Sequence, residues 1–118
     1  MTADDTPALS TAALHVLLSL GDGPRHGYAI MQAVATESGG TVHLGPTTLY
    51  RTLRTLHDAG LVSEMPHEDP AADSRRRYYH ITDAGRRAVS AQLRRLQALI
   101  DTARTRGVFS PCGGDRPG

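Results

Sequence analysis

The stretch PTTLYRTLRTLHDAGLV, residues 46–62, decides the fold. On a helical wheel Leu49, Leu53 and Leu56 fall within about 60° of one another, so a helix from Pro46 to about Ala59 buries that side. Proline suits the first helical position, and Gly60 stands where a left-handed C-terminal cap is expected. The opposite side carries Thr47, Arg51, Arg54, Thr55 and Asp58, with Tyr50 and His57 on the flank. Short hydroxyls and long guanidiniums suit the base edges and phosphates of a DNA major groove. A solvated helix face has the same composition, and for a helix taken alone that is the simpler reading. The neighbouring segments decide between the two.

Downstream, Leu61 to Pro66 and Arg75 to Thr82 are strand candidates, with Tyr79 and Ile81 on one face of the second. The polar loop HEDPAADS, residues 67–74, joins them into a hairpin. Upstream, a helix is expected from Pro7 to Leu20, capped by Thr6. Leu9, Ala13, Val16, Leu17 and Leu20 share its broad apolar face. Leu14 and Leu18 point nearly opposite, leaving a narrow polar stripe of Thr11, His15 and Ser19. A helix apolar on two sides is covered on two sides, and here the second cover is expected to be another subunit. A second helix spans about His26 to Glu37, and Thr41 to Leu44 reads as a very short strand.

The last helix starts at Thr82-Asp83 and runs to about Thr105. Val89, Leu93, Leu96, Ile100 and Ala103 recur along it at heptad spacing, the pattern of a helix that pairs with a partner helix. Helix, helix, helix, hairpin, long helix is the order of a mainly α winged helix-turn-helix with a small β-hairpin, followed by a long C-terminal dimerisation helix. The expected organisation is a disordered leader over residues 1–5, a winged-helix unit over 6–82, the dimerisation helix over 83–106 and a disordered tail over 107–118.

Composition narrows the function. Of the 118 residues 39% are hydrophobic, enough for one small core that a partner subunit would help to complete. Net charge is +1, but all 13 basic side chains are arginine. From Ser74 to Arg106 nine arginines stand against two aspartates, an excess of seven positive charges. Arginine makes bidentate contacts with phosphate and guanine, although an all-arginine inventory also follows from a GC-rich genome. Within SRRRYYHIT, strand alternation sends Arg75 and Arg77 to one side and Arg76 to the other. Arg75 and Arg76, nearest the tip, are the candidate contacts to phosphate or the minor groove. Arg77 is expected to be structural and Tyr79 to lie in the core.

The single cysteine, Cys112, cannot form an internal disulfide and sits in a Gly/Pro-rich tail where nothing orients a base beside it. The six histidines show no zinc-ligand spacing. No signal peptide, membrane span, phosphate loop or catalytic constellation is visible. The expectation is a cytoplasmic protein that is not an enzyme, with no cofactor and no metal.

Three motifs in order, HGYAIMQAV (26–34), GPTTLYRTLRTLHDAGLVSEM (45–65) and RRRYYHITDAGRRAV (75–89), resemble the PadR family of bacterial transcriptional regulators. The similarity runs over about residues 9–106. It implies a homodimeric winged-helix repressor of the smaller subgroup, with a single dimerisation helix and with the third helix in the major groove. By motif, Tyr50 matches the tyrosine of the family's recognition helix, His26, Gly27 and Tyr28 match the opening of its second helix, and Arg75 and Arg76 match its basic wing. Many relatives carry glycine where this chain has Thr47.

The expected partners are therefore double-stranded DNA, contacted by Thr47, Thr48, Tyr50, Arg51, Arg54, Arg75, Arg76, His26 and Tyr28, and a second copy of the chain, met by Leu14, Leu18, Val89, Leu93, Leu96 and Ile100. A small-molecule effector seated between the first and last helices of the dimer is the candidate inducer. The alternatives are a winged-helix module that binds protein without DNA specificity, favoured by the modest net charge, and a metal-responsive repressor.

Overall fold

The computed structural model describes residues 8–65 and 77–110. Four helices and three short strands follow in the order α1 (Thr11–Ser19), β1 (Arg25–His26), α2 (Gly27–Glu37), α3 (Pro46–Asp58), β2 (Val62–Met65), β3 (Tyr78–Ile81) and α4 (Asp83–Thr105). The strands form an antiparallel sheet in the order β1-β3-β2. The winged-helix arrangement with a long final helix is the one read from the sequence.

Local chemistry fixes most boundaries. The α1 helix begins at Thr11, later than expected, because Ser10 caps it, its hydroxyl accepting from the Ala13 N–H at 3.1 Å. Thr6 and Pro7 lie outside the described residues. Leu9 finds its backbone partners elsewhere: the Gln92 side-chain amide donates to the Leu9 carbonyl and accepts from its N–H, both at 3.3 Å. Ser19, expected on the polar stripe of α1, is buried instead, with its hydroxyl donating to the Val16 carbonyl at 2.7 Å. That bond satisfies the hydroxyl without water, so its burial costs little.

The strand expected at Thr41–Leu44 does not form. Ser38 holds this stretch in a turn, accepting from the Val42 N–H at 2.9 Å, while the Thr41 hydroxyl donates to the Ser38 carbonyl at 2.7 Å. The third strand is β1, which pairs Arg25 with Tyr79 and His26 with Tyr78. Gly60 closes α3 with φ +79°, and the Leu61 N–H donates back to the Leu56 carbonyl at 2.9 Å. This six-to-one bond after a left-handed glycine is a Schellman ending. Thr82 caps α4 through its hydroxyl, which accepts from the Gly85 N–H at 3.0 Å.

Leu49, Leu53 and Leu56 of α3 pack against Val16, Leu17 and Leu20 of α1, Ile30 and Val34 of α2, and Val62, Tyr79 and Ile81 of the sheet. Each buried leucine contributes about 1.5–3 kcal/mol over its exposed state. Val89 belongs to this core at 8% exposure. It was expected in the exposed dimer seam, but its side chain is already covered within the chain, so the uncovered part of the expected seam begins at Leu93.

Candidate nucleic-acid interface

The α3 helix stands on its leucines and turns Thr47, Thr48, Arg51, Arg54, Thr55 and Asp58 to solvent. Gly45 offers no side chain to cap the helix, and Pro46 occupies its first turn. Arg51 and Arg54 make no ion pair among the described residues, although Asp58 stands one turn beyond Arg54. The Thr55 hydroxyl donates back to the Arg51 carbonyl at 3.1 Å, so the outward face there presents a methyl group and lone pairs.

Tyr50 flanks this face, 43% exposed, with its ring end against the backbone of Gly27. His26 is spoken for: its Nδ1 accepts from the Ala29 N–H at 3.3 Å as the cap of α2, and its ring meets Tyr78 edge-on at 5.6 Å. Tyr28, in the first turn of α2, is 62% exposed and accepts from the Gln32 amide at 3.2 Å. Thr47, Thr48, Tyr28, Arg51 and Arg54 thus remain open to a ligand, Tyr50 is half-occupied by packing, and His26 holds structure.

Within the described residues the two wing strands are shorter than the sequence suggested. The strand expected from Arg75 starts at Tyr78, and β2 covers Val62–Met65 where Leu61–Pro66 was expected. Arg75 and Arg76 lie outside the described residues. Arg77 donates to the Glu64 carboxylate at 2.9 Å, a cross-strand pair that gives it the structural place expected of it. Tyr79 is buried opposite Glu64. Burial, and secondarily the negative charge of Glu64, push its phenol above the ordinary value of 10.0, with Arg77 opposing.

Between α3 and the sheet lies a cavity of about 340 Å³ walled by Tyr50, Arg54, His57, Asp58 and Glu64 over a floor of Leu53 and Tyr79. No sequence pattern marks it, because its walls and floor together come from three elements, α3, β2 and β3. Among the described residues no group of three His, Cys, Asp or Glu side chains is placed to hold a metal ion. Among the described residues no helix is long and apolar enough to cross a membrane.

The surface expected to meet a second copy is uneven. Leu18 and Leu93 are each 42% exposed, whereas Leu14, Leu96 and Ile100 are half-buried. Leu14 packs partly on the chain's own core.

This architecture is shared. A PadR family regulator from Eggerthella lenta is 25% identical, with a TM-score of 0.68 over 85% of this chain and 84% of the other. RosR from H. salinarum is 26% identical, with a TM-score of 0.65 over 81% of each chain. Bacillus subtilis PadR, solved in complex with operator DNA, is 22% identical and shares the fold, with a TM-score of 0.63 over 70% of this chain and 46% of the other. An uncharacterised 37.1 kDa protein in transposon Tn4556 of Streptomyces fradiae is 35% identical over 88 residues, which cover 75% of this chain. The match spans only 24% of that relative. The model of the Transcriptional regulator PadR-like family matches residues 16–91, and the chain belongs to that family.

Proposed function

We propose that the protein is a cytoplasmic, sequence-specific DNA-binding repressor that acts as a homodimer on an inverted-repeat operator. The observation that carries this reading is the outward face of α3, where Arg51 and Arg54 stand exposed and unpaired among the described residues, beside a wing built on β2 and β3. Exposed guanidiniums on a helix of this shape match guanine O6 and N7 in the major groove. The operator complex of Bacillus subtilis PadR, a protein of the same fold, supports it. Two copies related by a two-fold axis place their α3 helices in successive major grooves, so half-site centres lie about 34–36 Å or a multiple apart. A small-molecule effector would act between α1 and α4 of the dimer, where it can change how the copies cross.

Selection of bound duplexes from a random pool, repeated with Arg51→Ala and Arg54→Ala, tests the reading. The wild type should enrich an inverted repeat, and each variant should lose about 1–3 kcal/mol and relax its preference at one base pair. Affinity should fall steeply with salt as phosphate contacts release counterions. Enrichment of no sequence by the wild type at moderate salt sinks the proposal.

A further inference from the structure

Gly27 has no backbone reason to be glycine. It opens α2, and it is not among the residues with positive φ. Glycine in a helix carries an entropic cost, so a spatial reason is expected. That reason is Tyr50. A Cβ at position 27 would overlap the Tyr50 hydroxyl, and it would stand 2.9 Å from Cζ and 3.3 Å from Cε1 of the same ring. The contact is one of packing: the Tyr50 hydroxyl makes no hydrogen bond among the described residues.

The socket sits at a junction. One residue before Gly27, His26 caps α2, pairs with Tyr78 in the sheet and meets the Tyr78 ring edge-on. One residue after it, Tyr28 is the most exposed aromatic side chain on α2. The start of α2 therefore touches the recognition helix through Gly27 and the wing strand through His26. The Tyr50–Gly27 contact thus adds, to the packing of Leu49, Leu53 and Leu56, a constraint on how the first turns of α3 stand off α2.

We propose that Tyr50 is a positioning residue. Its ring, seated on Gly27, fixes how far the first turns of α3 stand off α2, and base reading falls to Thr47, Arg51 and Arg54. This rests on the DNA-binding reading above. The leverage follows from helix geometry. Tyr50 lies about 9 Å along the axis from Leu56, which anchors the far end of α3, and Thr47 lies about 13.5 Å from it. A methyl group at position 27 meets only the far end of the Tyr50 side chain, so it is relieved either by turning the ring off its seat or by moving α3, and a shift of about 1 Å carried by the helix at Tyr50 would swing Thr47 by about 1.5 Å. Hydrogen bonds to base edges tolerate only about 0.5 Å in length, so the displacement breaks them.

The test uses the full chain and the duplex that the wild type selects from a random pool. Four proteins are compared by affinity, base preference and thermal unfolding: Tyr50→Phe, Tyr50→Ala, Gly27→Ala and the double variant Gly27→Ala/Tyr50→Ala. The expected result is that Tyr50→Phe stays within about twofold of wild type with the same base preferences, because the ring is the spacer. Tyr50→Ala and Gly27→Ala each lose about tenfold or more while remaining folded, with preference weakened at several base pairs together. In the double variant the added methyl partly refills the space left by the ring, so it binds no worse than Tyr50→Ala.

The inference is overturned if Tyr50→Phe weakens all sequences alike, which assigns the hydroxyl to a phosphate, or if Tyr50→Ala flattens the preference at a single base pair alone, which assigns the ring to a base. Wild-type binding by Gly27→Ala, or a fully additive double variant, overturns it as well. Should Gly27→Ala fail to fold, Tyr50→Phe and Tyr50→Ala decide: Phe retaining affinity and Ala losing it with preference weakened at several base pairs supports the proposal, and any other outcome refutes it. Absence of any sequence preference in the wild type sinks the DNA-binding reading, a result distinct from these.

Discussion

Replacing Gly85 by alanine should destabilise the protein, although the same exchange on an open helix surface stabilises one. Gly85 lies in the first turn of α4. A Cβ there would overlap the carbonyl oxygen of Leu61 and would come within 2.7 Å of Ile81 Cγ1 and 3.2 Å of the Leu61 carbonyl carbon. The main obstacle is backbone, and it is tied down. Leu61 O accepts from the Thr82 N–H at 3.0 Å, and the adjacent Gly60 carbonyl accepts from the Thr82 hydroxyl at 2.7 Å. Helix propensity favours alanine by about 1 kcal/mol. Forcing a methyl group into filled space costs about 1–3 kcal/mol, and an immovable backbone neighbour places this site at the upper end. Straining the two Thr82 bonds adds about 1 kcal/mol. The net loss is about 2–3 kcal/mol, which lowers Tm by about 8–12 °C in a chain of this size. Urea and thermal unfolding at one fixed protein concentration measure it, since dimerisation would make stability concentration-dependent. A Gly85→Ala variant as stable as the wild type would refute the close approach of α4 to the turn after α3.

Three further perturbations bear on the same construction. Thr82→Ala removes both the cap to the Gly85 N–H and the bond to Gly60, at a cost of about 1–2 kcal/mol. Thr82→Ser keeps both bonds, and if serine proves as damaging as alanine the hydroxyl is not the cause. Tyr79 is a buried residue whose hydroxyl makes no hydrogen bond among the described residues, so Tyr79→Phe should be neutral or stabilise by up to about 1 kcal/mol. Because its phenol is raised above 10.0 in the folded state, that group's contribution is complete below pH 10 and is lost as pH climbs through the raised value. The Phe variant should therefore lose less stability than wild type above pH 10, and parallel alkaline unfolding curves would contradict this. Leu93→Asp or Leu96→Asp should yield monomer in sedimentation velocity, whereas a soluble variant that stays dimeric would remove these leucines from the seam.

The elements legible in the sequence are those whose signals are local. The α3 helix announced its buried face through Leu49, Leu53 and Leu56, and its end through Gly60. The α4 helix announced its start through Thr82-Asp83. What escaped depends on contacts between segments distant in the chain. The β1 strand is only Arg25 and His26, too short for any alternation to register, and it exists because β3 offers an edge. Ser19 is a local exception: it looked polar because the wheel cannot see its bond to the Val16 carbonyl three residues back. Val89 fitted the heptad, yet a heptad says only that a side is covered, and whether the cover is the same chain or another is a tertiary fact. The Gly27–Tyr50 contact leaves no trace in either segment alone. On the outward face of α3, residue type and spacing placed Thr47, Arg51, Arg54, Thr55 and Asp58 on the exposed side, because that side is defined by the leucines behind it.

The attachment of α4 decides how a dimer of this chain would convey a signal. Its first turn is fixed to the turn after α3 by Thr82 and Gly85, and Arg86 donates to the Gly21 carbonyl at 3.1 Å. Two turns on, Gln92 grips the backbone of Leu9 from both sides while Val89 fills the core between. The uncovered leucines begin immediately after this docked segment. Thr82, Gly85, Arg86 and Gln92 tie α4 to the turn after α3 and to the chain on either side of α1, so in the proposed dimer α3 and α4 move as one body. In the proposed dimer the separation of the two α3 helices is then set by how the α4 helices cross, because α4, about 34 Å long, acts as an unjointed arm. An effector that changed the crossing would move the reading faces out of register with successive major grooves without touching DNA or α3. It need only bind one crossing more tightly than the other, and the difference between those two affinities caps how far it can shift the population.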